Sequence, residues 1–160
     1  MSKIHFIDTS VFVELLDVPH LNTKHNEAVA EYRLLDENGD IFILPVATVV
    51  ETGNHIAHIP DGNTRRLIAE KFVEIVKEAI KQESSWNIVP EIPVDVLEHV
   101  LSTFPDQAMQ KTGFGDLSII EQFNDYWEHK QPIGEMRIWS FDKHLSSYHR
   151  TGGLSRRKFK

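Results

Sequence analysis

With 160 residues, 41% of them hydrophobic and 26% charged, the chain has the size and composition of one globular domain with a single core. It has no cysteine, which excludes disulfides, thiolate zinc sites and cysteine nucleophiles. The net charge of -7 argues against a simple basic nucleic-acid binder, yet Arg150 to Lys160 holds five basic residues and no acid, leaving 12 basic against 24 acidic residues in the body.

In chain order, Ile4 to Ile7 is a short apolar run that stops at Asp8, as a buried strand does. It is too short for a signal peptide or a membrane span, so the expected location is cytoplasmic, with no membrane partner. Thr9 or Ser10 is expected to cap a helix over Val11 to Leu16, and Asn22 or Thr23 a second helix that Gly39 ends. Ile41 to Leu44 reads as a second strand closed by Pro45. Val46 to about Ile59 reads as a helix, broken by Pro60 to Asn63. Leu67, Ile68, Phe72, Ile75, Val76, Ala79 and Ile80 form an apolar stripe at helical spacing. Trp86 to Val89 is a third strand, Val94 to Leu101 a helix, and Pro105 to Gly115 the loosest internal stretch. Phe114 to Glu128 is a helix, Arg137 to Phe141 the last strand, and Asp142 to Leu145 a short closing helix. Strands alternating with helices predict an α/β fold of three layers, α/β/α, around a mainly parallel sheet.

Two strands end in an aspartate, Asp8 and Asp142. In parallel sheets ligands bind beyond the carboxyl ends of the strands, although an N-cap explains each residue singly. Asp116 opens a helix, where a cap or the helix dipole accounts for it equally well. Glu51 lies in the otherwise apolar or small run Val46 to Gly53, with no lysine or arginine before His58 to pair with it. A carboxylate on a buried helical face must be paired or metal-bound.

As an ordered set these residues carry a resemblance. Ile7-Asp8-Thr9-Ser10, Glu51 on the helix after the second strand, Gly115-Asp116-Leu117 and Ser140-Phe141-Asp142 run in the order found in PIN-domain nucleases. The chain resembles that family, including its VapC-type toxins, over nearly its whole length. The resemblance implies a PIN-like nuclease domain over residues 1–149, with 150–160 a basic C-terminal tail. It implies a divalent-metal-dependent endoribonuclease, as in the toxin of a toxin–antitoxin pair, with RNA as substrate, an antitoxin protein as candidate partner and a homodimer as the candidate assembly. Asp8, Glu51, Asp116 and Asp142 are then the catalytic and metal-holding acids: Asp8 and Asp116 at the central metal, Glu51 and Asp142 flanking it. Oxygen ligands of this kind select Mg2+ or Mn2+ over zinc. Thr9, Ser10 and Ser140 are the supporting hydroxyls.

His55, Arg65, Arg66 and Lys111 are candidate RNA contacts, against the ordinary expectation that such exposed side chains are simply solvated. Glu51, His55 and His58 share a helical face but lack metalloprotease spacing, and packed or solvated histidines explain them better than zinc. Trp86, Trp127 and Trp139 sit in apolar stripes and are expected in the core rather than stacked on bases. No glycine-rich phosphate loop or G-x-S-x-G elbow occurs. The competing reading is a catalytically weak PIN-like module that binds RNA or protein. The presence of all four acids favours the enzyme.

Overall fold

The apolar runs that predicted strands do form them. In a computed structural model that describes residues 2–152, β1 (Ile4–Ile7), β2 (Ile41–Pro45) and β3 (Trp86–Val89) are parallel, and β4 (Gly134–Trp139) lies parallel to β1 on its other side. A fifth strand, β5 (His149–Gly152), pairs antiparallel with β4, giving the order β3-β2-β1-β4-β5. The sequence reading missed β5. Its His149, Arg150 and Thr151 are exposed and carry no apolar alternation, because an edge strand needs only backbone pairing. The first residues of the basic segment, Arg150 to Gly152, therefore belong to the sheet. Arg156, Arg157, Lys158 and Lys160 lie outside the described residues.

The helices cover both faces. Residues of one parity, Ile7, Phe42, Leu44, Trp86 and Trp139, face a cluster with Phe12, Ile56, Ile68 and Ala79 from α1 (Thr9–Leu15), α3 (Val46–Ala57) and α4 (Gly62–Lys81). Behind them lies α2 (His25–Glu37), whose Tyr32 hydroxyl accepts from Trp86 Nε1 at 3.1 Å. The alternate residues, Phe6, Ile43, Met136 and Ile138, pack on Ile119, Phe123 and Trp127 of α6 (Phe114–Lys130) and on Leu145 of the short α7 (Lys143–Ser146). Helix α5 (Val94–Met109) lies against α6. This period-2 division of strand side chains builds the three layers. All three tryptophans are buried. Among the described residues no helix is long and apolar enough to cross a membrane.

Several boundaries differ from expectation for identifiable reasons. Helix α5 runs through Pro105 to Met109 rather than stopping near Leu101. A proline there removes one helical bond, to the carbonyl of Leu101, and that residue is exposed enough for water to replace the donor. Helix α2 starts at His25, and neither Asn22 nor Thr23 caps it. Helix α3 forms despite five β-branched residues among its first seven. Thr48 Oγ1 donates to Ile7 O at 2.7 Å, bonding the helix to the end of β1, so tertiary contacts override propensity.

Candidate active site

Strand order reverses at β1, with β2 on one side and β4 on the other, so the carboxyl ends of β1 and β4 open next to each other. A cleft of about 340 Å³ forms there. Asp8, Glu51, Asp116 and Asp142 all line it, together with Thr9, Ser10 and His55, while Val13, Leu21 and Leu145 make an apolar wall. Four acids separated by up to 134 positions thus share one cavity.

Asp8 is 3% exposed and follows β1 directly, and its amide extends the β1–β4 pairing by donating to Trp139 O at 3.1 Å. Asp8 itself is the N-cap of α1, not Thr9 or Ser10 as expected. Its Oδ2 accepts from Ser10 N (3.3 Å), Ser10 Oγ (2.7 Å) and Ser140 Oγ (2.8 Å). The same two hydroxyls accept in turn from Phe141 N (3.0 Å) and Asp142 N (2.9 Å). Ser10 and Ser140 therefore stitch the ends of β1 and β4 together and hold one oxygen of Asp8. Its Oδ1 accepts no hydrogen bond from the described residues.

Glu51 is partly exposed at the cleft edge, which corrects the expectation of a buried carboxylate in need of a charged partner. Its Oε2 accepts from Thr9 Oγ1 at 2.9 Å. His55, one turn further along α3, is exposed and lines the cleft. His58 bonds back to Asn54 O at 2.7 Å and is not among the lining residues. Asp142 is exposed and caps α7, its Oδ1 accepting from His144 N (2.8 Å) and Leu145 N (3.1 Å), so a capping role and a place in the cleft coexist.

Asp116 is half-buried in the first turn of α6, but Gly113 is the N-cap there, and Asp116 has no hydrogen-bond partner among the described residues. Its pKa is pushed up to about 6, first by burial and then by the charges of Asp8, Glu51 and Asp142, with His144 opposing. The four acids are thus coupled electrostatically across the cleft.

The other predicted contacts lie elsewhere. Arg65 donates to Ile59 O at 2.8 Å, and Arg66 pairs with Glu70 at 3.2 Å on exposed α4. Lys111 is exposed in a left-handed turn (φ 62°) between α5 and α6. None of the three lines the cleft. The apolar wall was not foreseen, because isolated residues such as Leu21 and Leu145 carry no signal in a sequence.

Among the described residues no three Asp, Glu, His or Cys side chains are drawn together closely enough to chelate a metal as they stand. The chemistry of the donor set nevertheless fits a hard divalent cation. Every acid offers oxygen, the serines and Thr9 orient two of the acids, and Asp116 has a raised proton affinity that positive charge would relieve.

No family model and no curated protein matches the chain in sequence. Solved structures do match in fold. VapC20 from Mycobacterium tuberculosis, described as a toxin that cleaves the sarcin–ricin loop, superposes with a TM-score of 0.59 at 12% identity, over 90% of this chain and 95% of that one. A chain of VapBC2 from Rickettsia felis, solved bound to a DNA fragment from its promoter, gives 0.51 at 13% identity, over 86% and 99%. Likeness at this identity is likeness of fold, and the fold is the one that the resemblance to VapC-type PIN domains implied.

Proposed function

We infer that the chain is a divalent-metal-dependent endoribonuclease that hydrolyses RNA phosphodiester bonds at the four-carboxylate cleft. The observation that carries this is the meeting of Asp8, Glu51, Asp116 and Asp142 at the switch point of the sheet, where burial first and the neighbouring acids second raise Asp116 to about 6. Asp8 and Asp116 would hold Mg2+ or Mn2+, with Glu51 and Asp142 flanking. When bound, the cation supplies activation of water and neutralisation of phosphate charge. The protein's own part is orientation. Ser10 and Ser140 fix one oxygen of Asp8, leaving Oδ1 for the cleft, and Thr9 holds Glu51. His55 at the rim is a candidate substrate contact, and Leu21, the exposed member of the apolar wall, offers a small apolar surface to a ribose or base.

The fold shared with VapC20 and VapBC2, of which the first is described as a sarcin–ricin-loop-cleaving toxin, supports a toxin of a toxin–antitoxin pair, with an antitoxin protein as partner. The test is a time course on pooled RNA with millimolar Mn2+ or EDTA, using wild type and folded Asp8→Asn. Asn keeps the shape but removes the charge, so cleavage should drop at least about a hundredfold, the lower range for loss of a catalytic electrostatic contact. Equal rates would assign the activity to another site or a contaminant. RNA binding without cutting under any divalent cation would make the chain a binding module.

A further inference from the structure

Helix α6 opens with two glycines, Gly113 and Gly115, around Phe114. Gly113 is the N-cap, a position that accepts glycine, and a Cβ there would meet nothing within 4 Å. Gly115 is different. It lies inside the helical first turn, where alanine is the better helix former, and its φ is not in the left-handed region that glycine alone adopts freely. Neither propensity nor backbone conformation explains it.

Space does. A Cβ on Gly115 would stand 1.7 Å from Glu51 Oε1, 2.8 Å from its Cδ and 3.5 Å from Oε2. The three atoms closest to that point all belong to one carboxyl group, and its first atom is far inside any tolerable contact. The Glu51 carboxylate occupies the volume that any other residue at 115 would fill. The other oxygen, Oε2, accepts from Thr9 Oγ1 at 2.9 Å. The carboxylate is therefore tethered by a hydroxyl on α1 and seated in the space that the missing side chain on α6 leaves, with its negative charge beside the first turn of α6.

We propose that Gly115 is a positioning residue: by having no side chain it admits the Glu51 carboxylate to the cleft edge beside Asp116. This rests on the reading of the cleft as a metal-dependent site, and it names a residue outside the four acids on which that site depends. The clash is with the end of a flexible side chain, so Gly115→Ala should not prevent folding. Glu51 should swing away instead, losing Thr9.

Three measurements on the full chain decide it. A crystal structure of metal-free Gly115→Ala should show the Glu51 carboxylate beyond hydrogen-bonding distance of Thr9, with the α6 backbone in place. Calorimetry with Mn2+ alone should show binding at least about tenfold weaker than wild type, while the metal-free melting temperature stays at or above wild type, since a better helix former has been added and one repelling charge has moved off. In RNA cleavage, Gly115→Ala and Glu51→Ala should each be impaired, and the double variant should be no worse than Glu51→Ala, because residues that act through one another do not add. Additive losses, undiminished Mn2+ affinity, or a Glu51 still bonded to Thr9 would each overturn the proposal. Wild type that neither binds Mn2+ nor cuts RNA would defeat the nuclease reading instead, and the metal-free crystal structure would still decide how Glu51 is held.

Discussion

Asp116 shows how one side chain records its neighbourhood. Burial and three nearby acids raise its pKa to about 6, so the folded state binds its proton more tightly than the unfolded chain does. With a raised folded value, its favourable contribution is complete below the unfolded pKa and is lost as pH rises through about 6. In the metal-free protein at pH 7.5 this carboxylate opposes folding. Asp116→Asn, which mimics the protonated acid, should therefore be near-neutral at pH 4 and stabilising at pH 7.5. The full shift corresponds to about 3 kcal/mol, and partial solvent screening reduces this to about 1–2 kcal/mol, or roughly 2–8 °C. Melts in EDTA across that pH range measure the difference. A constant offset would mean that the acids are not coupled as their positions imply. Adding millimolar Mn2+ should reverse the order, because the cation stabilises only the protein able to hold it.

At the scale of elements, much of the architecture was legible because strands and amphipathic helices leave periodic signals. Four apolar runs became four strands, and the stripe from Leu67 to Ile80 lies within α4. What was lost had no such signal. β5 is polar because it is an edge, and the left-handed ends of α4 and α6 fall on Gln82 and Gln131, where glycine would have marked them. Helix α5 was cut short because Pro105 reads as a breaker, although an exposed neighbour can spare the lost bond. Three of the acids could be picked out in the sequence from their places after strands and at a helix start; Glu51 stood out only by an apolar run whose implied burial the structure corrects, and the family resemblance joined the four. Gly115 could not be weighted, since its meaning lies in Glu51, 64 positions away. Pro105 also yields a prediction. Pro105→Ala should restore a helical N–H without touching the cleft. Against this stands the entropy that proline removes from the unfolded chain, leaving a net gain of about 1–2 kcal/mol. A melting temperature below wild type would show that the proline ring is packed, not merely tolerated.

Across the whole molecule, the two ends of the sheet divide the work. The cleft lies at the carboxyl end, with clustered and partly exposed acids. At the other end a buried relay ties four elements together. His5 on β1 is 1% exposed and lies 2.7 Å from Asp40 Oδ2, just before β2. Asp40 also accepts from Lys3 N and Asn38 Nδ2, both at 3.0 Å. Arg137 on β4 donates through Nε to His5 Nδ1 at 2.8 Å and through a terminal nitrogen to Glu31 on α2 at 2.9 Å. A guanidinium can only donate, so His5 Nδ1 must accept, and the ring is neutral with its proton on Nε2, facing Asp40. Burial holds the His5 pKa below its ordinary value, helped by the Arg137 charge and opposed by Asp40. Burial alone would raise Asp40, but hydrogen bonds from His5, Lys3 and Asn38 outweigh it and hold the carboxyl below its usual range. For both groups the folded pKa is depressed, so their stabilisation is present above the unfolded values and is lost as pH falls. For His5 the loss begins below about 6.5 and for Asp40 below about 4. Asp116 works in the opposite direction between about 4 and 6, and His129, whose pKa is raised by its bond to the Asp125 backbone and by the Asp125 charge, also opposes the relay, which is therefore best read in Asp116→Asn/His129→Gln protein in EDTA. There the melting temperature should fall steadily from pH 7 to pH 5. A flat or rising curve would mean that His5 can carry its charge in the folded state and that the tautomer deduced from Arg137 is wrong. Asp40→Ala should cost about 1–3 kcal/mol, chiefly by leaving the buried His5 donor unmatched, since Lys3 and Asn38 are exposed residues whose donors can turn to water. Well below the melting temperature it should leave RNA cleavage unchanged, because the relay lies a full strand length from the cleft.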